Sequence, residues 1–177
     1  MKSRLIAISA TSSAFVGIIL TIGVYFNLAD LFCLVVASVF TMLPLYYKSY
    51  LASVLSYLSG GIIAFLFTGF NVFIIVIPAY MLFFGIYPII KNLLEEKKVN
   101  KIVRYLVGLV WCVVVFYAMY FFYTQVMQLS INDLFDFIKD NILVFVGVVG
   151  VIFFVVYERF LTIFKRIIDE FLRKILK

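Results

Sequence analysis

Apolar residues along this chain come in long unbroken runs, and the polar residues are confined to the gaps between them. Arg4 and Asp30 bracket 25 uncharged residues, Lys48 and Lys91 bracket 42, and Arg104 and Asp133 bracket 28. A helix rises 1.5 Å per residue, so about 20 residues cover a ~30 Å hydrocarbon core. The 42-residue run therefore holds two passes with a turn between them. The pattern predicts six spans, at about 5–26, 31–47, 50–67, 72–90, 102–126 and 141–157. Turn chemistry separates them at Asn27-Leu28-Ala29-Asp30 and at Thr68-Gly69-Phe70-Asn71. A short surface helix is predicted over 130–140, capped by Ser130 or Asn132.

Beyond the sixth span the period changes. Phe160, Leu161, Phe164, Ile167, Ile168, Phe171, Leu172 and Ile175 fall on one helical face, and Arg159, Thr162, Lys165, Arg166, Asp169, Glu170, Arg173, Lys174 and Lys177 on the other. The expected fold is an all-α integral membrane six-helix bundle over 1–157, with an amphipathic basic cytoplasmic helix over 158–177. That last helix suits an in-plane anchor on anionic lipid, or a surface for a partner.

Composition and charge sharpen this picture. Hydrophobic residues make up 66% of the chain and the mean hydropathy is +1.19, far from an ordinary soluble domain. The net charge of +6 is explained by topology, and no nucleic-acid partner is expected. With the N-terminus inside, 14 of the 15 Lys and Arg fall on the inner side and only Lys139 outside. The positive-inside rule then predicts a multi-pass cell-membrane protein with both termini cytoplasmic.

Candidate chemistry is sparse. The chain has no His, which removes His-based zinc sites, Ser-His triads and imidazole relays. No GxxxxGK[ST] loop occurs, and no Asp, Glu, Lys or Arg sits near the middle of a predicted span. No catalytic residue, metal site or cofactor is expected. Cys33 and Cys112 are isolated in apolar runs and read as buried thiols. Pro78 falls within the fourth predicted span, as a hinge or as a static kink.

Two stripes of small residues stand out. Ala7, Ala10, Ala14, Gly17 and Thr21 recur at helical spacing on the first span, and Ala52, Ser56, Gly60 and Ala64 on the third. Such stripes let helix backbones approach closely, either within one bundle or against a partner. Ala10-xxx-Ala14, six spans and cytoplasmic termini resemble the substrate-binding S components of energy-coupling-factor vitamin transporters. That resemblance implies a docking face at Ala7, Ala10, Ala14 and Gly17 for a membrane coupling subunit that works with cytoplasmic ATPases. It also implies uptake of a small, vitamin-like molecule captured on the outer side. Polar residues expected to line that outer site are Asn27, Asp30, Asn71 and Tyr120, with Tyr123, Thr124, Gln125 and Gln128. Residues 83–91 (FFGIYPIIK) and the segment VYERFLTIFKRI are similar to a set of uncharacterised bacterial membrane proteins of this size. The alternative is a non-transporting membrane scaffold or regulator, resembling the small MreD-like rod-shape bundle proteins, that acts through helix–helix partner binding.

Overall fold

The computed structural model describes residues 2–26, 29–69, 75–122 and 141–175. Its described residues form an all-helical bundle in which six stretches are long and apolar enough to cross a bilayer. Helix α1 is Lys2–Tyr25, and α2 is Asp30–Met42, tightening into a 3-10 turn at Leu43–Tyr47. Helix α3 is Tyr50–Phe67. The fourth span, Val76–Glu96, is built from α4 (Val76–Ala79), a π-helical turn (Tyr80–Phe84) and α5 (Tyr87–Glu96). Helix α6 is Lys101–Phe121 and α7 is Ile142–Ile175. The surface helix expected over 130–140 lies outside the described residues.

Local sequence explains most of these limits. Ser49 accepts a hydrogen bond from the Ala52 amide to start α3, and Asn100 accepts one from Ile102 to start α6. Lys48 closes the 3-10 turn in the left-handed region at φ 54°, turning the chain from the second span into the third.

The tightest helix pairing is α1 against α3, and small residues permit it. A Cβ placed on Gly60 would overlap Val16 Cγ1 and come within 2.7 Å of Val16 Cβ. One on Gly17 would overlap Ile63. At this separation hydroxyls reach across: Ser56 Oγ donates to Ser9 O at 3.1 Å and Ser59 Oγ to Ser13 Oγ at 2.7 Å. Helix α2 joins the same layer, where Ser12 Oγ donates to Phe40 O at 2.5 Å and Ser53 Oγ to Thr41 O at 2.6 Å. In lipid, where apolar contact alone gives no preference for protein over solvent, close packing and these bonds hold helices together. The third span's stripe thus serves packing inside the bundle.

The fourth span departs from its predicted form in an informative way. Pro78 lies in its first described turn, and the irregularity follows it at Tyr80–Phe84, where Gly85 N bonds back to Tyr80 O at 2.8 Å. Pro88 has no N–H to give to Phe84 O, the i−4 carbonyl. Tyr157 OH donates to that oxygen instead, at 3.4 Å. Tyr57 OH reaches Met81 O at 2.7 Å, and Trp111 Nε1 reaches Leu82 O at 3.0 Å. Side chains from α3, α6 and α7 therefore hold the π-helical turn from three sides.

The sixth span also differs. No break separates a span ending at Tyr157 from a second helix, and α7 runs through both as one 34-residue rod. The physical reasons lie in the sequence after Gly150 and in the pairing of Glu158.

Candidate functional site

Two turns of α5 and two of α7 face each other and create the most polar place inside the bundle. Tyr87 and Lys91 are four apart on α5, as are Glu158 and Thr162 on α7, so each pair presents one face. Lys91 Nζ lies 2.9 Å from Glu158 Oε1, and Tyr87 OH donates to Glu158 Oε2 at 2.7 Å. The ammonium also donates to Thr162 Oγ1 at 2.9 Å. Only 6% of the Lys91 side chain and 8% of the Glu158 side chain remain exposed. A buried carboxylate keeps its charge only when paired and hydrogen-bonded, and here both oxygens are occupied. The helix runs on through Glu158 because no Gly or Pro follows Gly150 to break it, and the buried carboxylate is paired from α5.

A second tier lies nearer the end of the bundle. Glu95 accepts from Arg104 Nη1 at 2.9 Å and from Lys165 Nζ at 2.5 Å. Lys165 also donates to Asn92 Oδ1 at 2.7 Å, and Asn92 Nδ2 donates to Tyr50 OH at 3.1 Å. These contacts bring the start of α3, the end of α5, the start of α6 and the second half of α7 to one end of the bundle. The amino-terminal half of α1 is tied to that end by the Ser9–Ser56 bond near the start of α3. The expected polar face of the 158–177 segment is thus used partly against the bundle: Thr162 and Lys165 bond to α5 residues.

Between α5, α6 and α7 lies a cavity of about 210 Å³. Its charged lining is four cations, Lys91, Lys101, Arg104 and Arg159, and two carboxylates, Glu95 and Glu158, both engaged in ion pairs; Tyr105, Val107 and Trp111 complete the wall from α6. Gly108 lets the Tyr87 and Phe154 rings close against α6 at the cavity wall, since a Cβ there would come within 2.7 Å of Tyr87 OH and of Phe154 Cζ. Arg104 Nε is buried and has no acceptor among the described residues. A guanidinium with one satisfied edge and one unsatisfied edge is suited to an incoming anion.

Tyr87→Phe is expected to leave Glu158 with one unmatched oxygen and to cost about 1.5–3 kcal/mol, the range for hydrogen bonds to charged groups. Equilibrium unfolding of the purified protein in mixed micelles checks this, with Tyr105→Phe as a comparison lacking the Glu158 bond.

The residues expected to form an outer site are placed differently. Asp30 is the first residue of α2 and its carboxylate accepts from the Leu31 amide at 2.6 Å. Tyr120 is partly buried in the last turn of α6. Asn27, Asn71, Tyr123, Thr124, Gln125 and Gln128 lie outside the described residues. The expected docking face divides: Ala7, Ala10 and Ala14 are exposed on α1, whereas Gly17 is buried against α3. Cys33 and Cys112 are both buried free thiols, and among the described residues no cluster of metal-ligating side chains occurs.

Sequence reasoning did not single out Lys91, Glu95, Arg104 and Glu158 because each stands near or just beyond the predicted end of a span, and it assigned Lys165 to the polar face of the last helix. The available signal was the pair of segments FFGIYPIIK and VYERFLTIFKRI, which supply Tyr87, Lys91, Tyr157, Glu158, Thr162 and Lys165. No family model, curated protein or solved structure matches the chain.

Proposed function

We propose that this protein is a ligand-binding membrane subunit with no catalysis of its own, and that its ligand is an anion held at the basic end of the bundle. The observation that carries this reading is the cavity beside Arg104, with its unsatisfied buried Nε and a lining in which cations outnumber carboxylates. In this reading the basic end faces the cytoplasm, with both termini on that side, because the positive-inside bias and the shared end of α1, α3, α5 and α7 agree. The site is therefore at the opposite end from the outer pocket expected for a vitamin-capturing subunit. Binding of an anion is expected to raise the unfolding midpoint of the purified protein, by mass action on the folded state. Arg104→Gln is expected to remove that shift. A panel of anionic compounds producing no shift in the unaltered protein would overturn the reading.

A second reading has its own observation. Ala7, Ala10 and Ala14 form an exposed strip of small side chains on α1, as a docking face for a coupling subunit or another membrane partner requires. Ala10→Leu with Ala14→Leu is expected to leave the bundle folded and to reduce recovery of partners from native membranes. Recovery of paired ATPases with the unaltered chain supports a transporter subunit. Recovery of other membrane proteins, lost in the variant, supports a scaffold.

A further inference from the structure

The cavity has two unlike ends, and their order along α6 matters. Lys101 and Arg104 occupy the first turn of the helix, with Arg159 of α7 opposite. Val107 and Trp111 lie one and two turns further along, where the wall is apolar. At 1.5 Å per residue, the step from Lys101 to Trp111 is about 15 Å along the helix axis. Val107 and Trp111 are also 48% and 43% exposed, so this side of the cavity opens sideways, through the surface α6 turns to hydrocarbon. A cationic rim at the membrane boundary continued by a laterally open apolar slot is the shape of a lipid, head first and chain second. A soluble metabolite has no use for a wall that faces acyl chains.

We propose that the cavity binds the phosphodiester headgroup of an anionic glycerophospholipid, with Arg104 as its main contact, Lys101 and Arg159 as supporting charges, and the upper acyl chain lying along Val107 and Trp111. This rests on the anion-site reading above and names its ligand class. The Arg104 guanidinium keeps Nη1 on Glu95 and offers its unsatisfied Nε edge to a phosphate oxygen. Zwitterionic lipid fits worse, because its ammonium adds positive charge to a lining whose cations outnumber its carboxylates by four to two and whose carboxylates are already paired. Basic pockets between membrane helices on the cytoplasmic side are favourable places for such headgroups.

The test is native mass spectrometry of the full chain in detergent micelles doped with equal amounts of phosphatidylglycerol and phosphatidylcholine. The expected result is retention of phosphatidylglycerol about tenfold over phosphatidylcholine, a difference of about 1.4 kcal/mol. Arg104→Gln is expected to abolish the preference. Should that variant not fold, the exposed pair Lys101→Gln and Arg159→Gln, outside any ion pair among the described residues, is expected to reduce it several-fold. A parallel arm adds glycerol 3-phosphate as a soluble competitor, which is expected not to displace the lipid. Equal retention of both lipids, or a preference unchanged in the folded variants, overturns the proposal. Binding of glycerol 3-phosphate with no preference between lipids overturns the lipid assignment but keeps the anion site. No binding of any anion removes both.

Discussion

Glu158→Ala is expected to destabilise the folded bundle by about 3–5 kcal/mol, the cost of leaving a buried charge without its partner. The stranded group is the Lys91 ammonium, which would keep only Thr162 Oγ1 and the Glu158 carbonyl oxygen, at 2.9 and 3.5 Å. Lys91→Met has the mirror effect, stranding the carboxylate beside the Tyr87 hydroxyl. The informative variant is the double one. With Lys91→Met and Glu158→Leu together no buried charge remains, and apolar replacement of such a pair is often neutral or stabilising. The double variant should therefore be more stable than either single variant. Unfolding midpoints in mixed micelles measure all three. A single-variant effect of about 0–1 kcal/mol, that of an exposed ion pair, would mean that water reaches the pair freely.

Gly60→Leu is expected to separate α1 from α3 and to cost at least the 1–3 kcal/mol typical of overpacking, at about the upper end. The obstacle is Val16 Cβ, 2.7 Å from where the new Cβ must go, and a Cβ cannot rotate away. Moving α1 aside would also break the bonds that join Ser56 to Ser9 and Ser59 to Ser13. Gly69→Ala is the natural comparison. It sits at φ +70° with nothing within 4 Å, so its cost is conformational alone, about 1 kcal/mol. A disulfide placed between α1 and α3 in the Gly60→Leu protein should form more slowly than in the unaltered bundle, reporting the separation directly.

The spans were legible because hydrocarbon imposes length and apolarity on a helix, whatever its neighbours. Tyr50–Phe67 matches its expected limits, since Ser49 and the Thr68-Gly69 turn punctuate it locally. The site was illegible for the same reason that made the spans clear. A charge at the edge of an apolar run reads as the point where the chain meets water, so Lys91 and Glu158 were assigned to boundaries. Whether a charge is solvated or paired depends on which helices are neighbours, and periodicity within one helix carries no such information. The π-helical turn was hidden likewise: Pro78 drew attention, while the carbonyl freed by Pro88 is the one that Tyr157 accommodates. The stripe on the first span keeps to one helical face, as 3.6 residues per turn requires, but that face lies at the margin of the α3 contact, which covers Gly17 and leaves Ala7, Ala10 and Ala14 exposed.

The unbroken course of α7 has a mechanical consequence. Thirty-four residues make a rod about 51 Å long, against a hydrocarbon layer of ~30 Å, leaving an overhang of roughly 20 Å. Because Glu158 and Lys165 are tied to α5, that overhang is a lever fixed to the membrane body, not a tether swinging from it. A reorientation of the bundle by about 20°, an ordinary tilt for a membrane helix, would sweep its tip sideways by roughly 7 Å. A small rearrangement of the bundle would thereby become a larger displacement at the far end of α7.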